Sequence, residues 1–127
     1  MSKINNQNLS EIEWGIMRVL WDKGVLSVKD VWNKLYPNGE KAYTTIQTYM
    51  DRMIEKGLLR KEKIGLVNFY QPVVQQEKMM SQATDRFVSN AFGGSFGHLA
   101  AFLVGSGKLS SEDINKIKKL INEAEGE

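Results

Sequence analysis

Apolar residues recur through the first half of the chain at steps of three and four, the spacing that gathers side chains on one face of an α-helix. Ile12, Ile16 and Leu20 form one stripe, and Trp14, Met17 and Trp21 a second beside it, so the first helix is expected to be buried over a wide arc. Ser10 followed by Glu13 has the spacing of a capping box at its start, and Lys23-Gly24 ends it. Residues 25–28 are too short for more than a single extended link. Ser27 and Asp30 then open a second helix, whose apolar face is Val28, Val31, Trp32 and Leu35, before Pro37, Asn38 and Gly39 break the chain. In the third helix Ile46, Tyr49, Met50 and Met53 share a face, and Thr44, Thr45, Gln47, Thr48, Asp51, Arg52 and Glu55 lie opposite. Gly57 stops it. Ala42 stands where a serine or aspartate cap is expected, so either Thr44 or Thr45 caps the helix or the preceding turn holds it by packing.

Past Gly57 the rhythm changes to that of a hairpin. Leu58 and Leu59 lead into Arg60, Lys61, Glu62 and Lys63; residues 63–66 form a short loop containing Gly65; Val67, Phe69 and Tyr70 are β-formers, and Pro72 ends the second strand. After Pro72 only helices are expected. Residues 75–91 place Met79, Met80, Ala83, Phe87, Val88 and Ala91 on one side; residues 95–104 carry Leu99, Phe102 and Leu103; Ser110 and Ser111 open a last helix with Ile114, Ile117, Leu120, Ile121 and Ala124 on one face.

The fold class is thus mainly α: an N-terminal winged helix-turn-helix with a small β-hairpin wing over residues 1–73, and a C-terminal three-helix region over residues 74–127. Three short helices bury little surface alone. The stripes Phe87, Leu99, Phe102, Leu103, Ile114, Ile117, Leu120 and Ile121 are therefore expected to meet the same stripes of a second chain, making a homodimer.

Composition narrows the function. The 127 residues are 42% hydrophobic and 25% charged, as in ordinary globular proteins, and no apolar run approaches the ~20 residues that span a bilayer. The opening MSKINNQNLS has no hydrophobic signal core, so the protein is expected in the cytoplasm without direct membrane insertion. With no cysteine and one histidine, His98, there is no thiolate metal site, no disulfide and no catalytic triad, and neither a metal nor a cofactor is expected. The net charge of +2 says little by itself, but residues 1–72 hold 11 basic against 8 acidic side chains, and residues 73–127 hold 6 against 7. The positive excess lies with the third helix and the hairpin.

That placement points to double-stranded DNA. On the third helix of a helix-turn-helix, Gln47 can bond an adenine edge, Arg52 a guanine edge, and the methyls of Thr45 and Thr48 can pack on thymine. Lys41, Tyr43, Arg60, Lys61 and Lys63 suit phosphates, which they bind without sequence choice, and Ser27 at a helix start offers backbone amides to another. Two other readings remain open at this point: a winged-helix protein-interaction module whose partner covers the third-helix face, and a small-molecule-responsive regulator with Met79, Met80, Phe87 and Phe92 lining a pocket.

The segments LSEIEWGIMRVLWDKG, VKDVWNKL, AYTTIQTYMDRMIEKGLLRKEKIGLVNFYQPVV and FVSNAFGGSFGHLAAFLV resemble the penicillinase repressor family of BlaI/MecI type, over residues 9–121. The resemblance implies a homodimeric repressor on a palindromic operator, with Thr45, Gln47, Thr48 and Arg52 in the major groove and Thr44 and the wing lysines at phosphates. It implies C-terminal helices that interlock with the partner's. Relief by a membrane-bound sensor metalloprotease system is also implied, through cleavage of an Asn-Phe bond in the dimerisation helices. The corresponding bond here is Ala101-Phe102, with alanine in place of asparagine.

Overall fold

The computed structural model describes residues 8–126; residues 1–7, on which most of the leader reading rests, and residue 127 lie outside that range. The elements are α1 (Glu11–Lys23), β1 (Leu26–Ser27), α2 (Val28–Leu35), α3 (Tyr43–Glu55), β2 (Leu59–Ile64), β3 (Val67–Pro72), α4 (Gln76–Phe92), α5 (Phe96–Gly105) and α6 (Ser111–Glu125). They divide into two compact units, one running up to Ala83 and the other from Thr84 on. The division falls inside α4, beyond the expected boundary near residue 73. Met79 of α4 is buried in the core of the first unit.

Local chemistry starts and stops the helices. The Glu13 amide donates to Ser10 Oγ at 3.2 Å while the Ser10 amide donates to the Glu13 carboxylate at 2.9 Å, a reciprocal cap that satisfies two donors α1 leaves unpaired. Ser27 and Asp30 do the same for α2, and Ser110 and Asp113 for α6. α3 ends in a Schellman motif: the Leu58 amide donates to Met53 O at 2.9 Å and the Gly57 amide to Ile54 O at 3.0 Å. Gly57 takes φ +80°, which a side chain at that position would strain.

α3 begins without a side-chain cap at Ala42. Neither threonine supplies one; Thr48 Oγ1 donates instead to the Thr44 carbonyl at 2.9 Å. The turn is held by packing: Trp32 Nε1 donates to Lys41 O at 2.7 Å, and the Tyr43 ring meets Trp32 edge-on with centroids 5.8 Å apart.

Residues 25–28 do more than link. Leu26 and Ser27 pair antiparallel with Tyr70 and Phe69, making a three-stranded sheet in the order β1-β3-β2. The hairpin turn is tighter than the expected 63–66 loop. Ile64 pairs with Val67, leaving Gly65 and Leu66 as a two-residue turn with positive φ at Gly65, as a type II′ turn requires.

Ile16, Met17 and Leu20 of α1, Val28 and Val31 of α2, Ile46, Met50 and Met53 of α3, and Leu58, Leu59, Tyr70, Val74 and Met79 form one buried cluster. All three tryptophans are half-buried against it, and Trp21 Nε1 donates to Val74 O at 2.8 Å, fastening the segment after β3 onto α1. A half-buried ion pair completes this unit: Lys56 Nζ, on a side chain that stays partly exposed, lies 2.6 Å from the carboxylate of Glu13, which is 4% exposed. Burial pushes the Glu13 carboxyl up, but the Lys56 bond and charge and the Ser10 cap together hold it below the usual carboxylate range.

In the second unit Val88 is buried, while α5 and α6 contain no buried residue. Phe92 centres an aromatic cluster, with the rings of Phe87, His98 and Phe102 at 5.7, 5.2 and 5.8 Å. Much of what should be a core faces outward. Phe102 is 59% exposed and Leu120 57%. Among the described residues no single helix is long and apolar enough to cross a membrane.

Candidate nucleic-acid interface

Burial of Ile46, Met50 and Met53 turns the opposite side of α3 outward. Thr44, Thr48 and Arg52 are exposed there, and Thr45 and Gln47 are half-buried beside them. Asp51, on the same helix, is already engaged: its carboxylate accepts from the Tyr70 hydroxyl at 3.1 Å, tying α3 to β3. Burial first, then the bond to Asp51 and its charge, raise the Tyr70 hydroxyl to a pKa of about 12.

The hairpin has two different faces, because paired residues on antiparallel strands project to the same side. Leu59, Lys61 and Lys63 pair with Pro72, Tyr70 and Asn68; Arg60, Glu62 and Ile64 pair with Gln71, Phe69 and Val67. Leu59 and Tyr70 are buried, so the first set continues the core side of the sheet and carries Lys61 and Lys63 out along it. Arg60 is on the other face. With the Gln71 amide oxygen turned toward it, the guanidinium donates from Nε at 2.9 Å and from Nη2 at 2.7 Å. The three basic residues that sequence spacing grouped together thus divide two and one.

Between α2, α3 and the hairpin tip lies a cleft of about 370 Å³, lined by Ser27 and Lys29 at the start of α2, Tyr43 and Gln47 on α3, and Leu66 and Asn68 on the hairpin. The structure therefore brings Ser27 to one concavity with Tyr43 and Gln47, which lie one turn apart on α3. It adds Lys29 and Asn68, which sequence reasoning missed because only the β1–β3 pairing, invisible in the spacing of residues 25–28, sets α2 against the hairpin. The Ser27 hydroxyl oxygen accepts from the Asp30 amide in its capping box, so the start of α2 presents that hydroxyl's O–H together with the backbone of the first turn. Lys41 is exposed at the entry to α3.

The other expected residues lie in the second unit. Phe87, Phe102, Leu103, Ile117, Leu120 and Ile121 are exposed, and Leu99 and Ile114 half-buried. The Ala101-Phe102 bond sits exposed in the middle of α5. Met79 belongs to the first unit's core, whereas Phe87 and Phe92 belong to the aromatic cluster of the second.

A helix with an apolar underside and a polar outer face, third in a helix-turn-helix and followed by a basic hairpin, defines a winged-helix DNA-binding protein. The profile of the penicillinase repressor family matches residues 9–123, and the chain belongs to that family, one of transcriptional repressors rather than enzymes. It is a DNA-binding repressor. It is 25% identical over 115 residues to the penicillinase repressor of Bacillus licheniformis, spanning 91% of this chain and 90% of that one. With the methicillin resistance regulatory protein MecI of Staphylococcus aureus it shares 22% over 114 residues, 90% of this chain and 93% of that one. Among solved structures, the DNA-binding domain of the repressor BlaI superposes with a TM-score of 0.51 at 32% identity, covering 60% of this chain and 90% of that domain.

Proposed function

We propose that two copies of this repressor bind a two-fold operator, each laying α3 in the major groove. Thr45, Gln47, Thr48 and Arg52 read base edges. Lys41, Tyr43, Thr44, Lys61, Lys63 and the first turn of α2 at Ser27 hold phosphates. Arg60, tied to Gln71 on the far face of the hairpin, is assigned to holding the wing's shape. The observation that carries this reading is the outward polar face of α3 beside a cleft that has Lys29 on its α2 wall, with Lys61 and Lys63 exposed on the hairpin that follows. Its test is a titration of the protein onto the DNA upstream of its own gene and onto a random duplex, for wild type, Arg52→Ala and Lys61→Ala. Arg52→Ala should lose about 1–3 kcal/mol on the upstream DNA alone, whereas Lys61→Ala should weaken both duplexes alike. No preference of the wild type for the upstream DNA, even at low salt, contradicts the proposal.

Dimerisation is assigned to Phe87, Leu99, Phe102, Leu103, Ile114, Ile117, Leu120 and Ile121, because a unit with this much exposed apolar surface gains stability only by covering it. Release from DNA is assigned to proteolysis at Ala101-Phe102 under a membrane sensor metalloprotease system, the route that the family resemblance implies. A peptide bond inside a helix reaches a protease only when that helix opens, so covering α5 in a dimer would slow the cut. Mass spectrometry of the protein from induced cells checks this: fragments meeting at residues 101 and 102 are expected, and an intact chain in cells where repression has been lifted contradicts it.

A further inference from the structure

β2 is an edge strand. Among the described residues it pairs with β3 alone, in a sheet ordered β1-β3-β2, so one side of its backbone has no strand beside it. The register decides which groups that side presents. The Val73 amide donates to Leu58 O at 2.9 Å, and Ile64 and Val67 close the two-residue turn. In that phase Arg60 with Gln71 and Glu62 with Phe69 exchange bonds across the hairpin, while Leu59, Lys61 and Lys63 turn their N–H and C=O groups away from β3. Leu59 is buried, whereas residues 60–64 are all exposed. Lys61 and Lys63 thus hold their amides and carbonyls at an open edge, and among the described residues no hydrogen bond engages them.

An open edge is a template for any added strand unless side chains select the partner. Here the charges select. Lys61 and Lys63 stand two residues apart on one face, and a strand laid beside β2 sets its own alternate side chains against them. Antiparallel pairing with a second copy of β2 would bring lysine opposite lysine, so the edge rejects its own kind. A strand with carboxylates at alternate positions meets an ammonium with each, while the residue between them falls on the face of Glu62.

We propose that the free edge of β2 accepts an extended acidic segment of another protein by strand addition, in the pattern acid, uncharged residue, acid. Main-chain bonds to Lys61 and Lys63 supply the affinity, and their ammonium groups supply the choice of partner. Such a segment withdraws both lysines from phosphates and lifts the repressor from DNA without a cut in the chain. That consequence, though not the strand site itself, rests on the phosphate role assigned to these lysines above.

The isotope-labelled full chain is titrated with three capped peptides: acetyl-Val-Glu-Thr-Glu-Val-amide, its counterpart with lysine for each glutamate, and the glutamate peptide N-methylated at both glutamates. The last keeps the charge and loses the donors. The glutamate peptide should shift the Lys61 and Lys63 amide resonances saturably, and the other two should bind roughly ten-fold more weakly or worse. A Lys61→Glu, Lys63→Glu double variant with the wild-type circular dichroism spectrum should prefer the lysine peptide. At ten times its own Kd the glutamate peptide should raise the wild type's Kd for the DNA upstream of its gene about ten-fold, as competition for one surface requires. No shift at these two amides overturns the proposal. So does equal binding of the glutamate and N-methylated peptides, which makes the contact ionic only, and so does peptide binding that leaves DNA affinity unchanged. A wild type that takes up the glutamate peptide selectively yet shows no preference for the upstream DNA keeps the strand site and removes the DNA reading instead.

Discussion

Ala42 shows how a single position can be read correctly as anomalous without its remedy being legible. The missing cap was visible in the sequence; the Trp32 indole bonded to the Lys41 carbonyl was not, because it depends on how α2 crosses the turn. Ala42 has extended backbone, φ −72° and ψ 149°, compatible with a capping serine. Ala42→Ser should therefore add about 1 kcal/mol, which a thermal melt would register as a rise of several degrees. Glu13 makes the same point. Its capping box with Ser10 is a three-residue spacing, but its partner Lys56 is remote in the chain. Glu13→Gln keeps an acceptor for the Ser10 amide and removes the charge. With Lys56 half-exposed and partly hydrated, the loss at neutral pH should be about 1 kcal/mol. The Glu13 carboxyl lies below its ordinary value in the folded state, so its contribution is present above the unfolded pKa and fades as pH falls through the folded one. Urea unfolding of both proteins should show a gap at pH 7 that closes on acidification; a gap independent of pH contradicts the assignment.

At the scale of elements, helix starts and apolar faces were legible because they are written in short-range periodicity. The sheet was only partly so: two residues, Leu26 and Ser27, give no strand signal of their own and acquire one from β3. That pairing brings α2 to the cleft. Helix and wing are further coupled by the bond from Tyr70 to Asp51. Tyr70→Phe should cost about 1 kcal/mol and loosen the wing against α3, seen as weaker operator binding. Because the folded hydroxyl titrates near 12 rather than near its ordinary 10, the wild type should hold this contribution below pH 10 and lose it as pH rises toward 12. Tyrosinate absorbance during alkaline unfolding reports the step, which Tyr70→Phe should lack. Within the hairpin, Arg60→Ala should leave the salt dependence of DNA binding nearly unchanged, while Lys61→Ala should lower its slope by about one. Alternation along β2 contained this distinction, but only the register with β3 says which alternate faces the core.

At the scale of the molecule, the sequence held the class of fold and the outward face of α3, since both rest on patterns within single helices. It held less of the second unit, whose helices carry stripes that no buried core of their own absorbs. A glutamate at Leu120, an exposed position on α6, should leave each chain folded and abolish pairing, observed as a monomer by sedimentation and as operator affinity far below wild type. Repression as proposed requires two chains reading one two-fold site. The measurement that addresses it most directly is the stoichiometry and affinity of the full-length protein on duplexes from its own upstream region, one holding both half-sites and one holding a single half-site. Two chains per intact site, bound far more tightly than the half-site or random DNA, is the expected result. One chain per site, or equal affinity for all three duplexes, contradicts it.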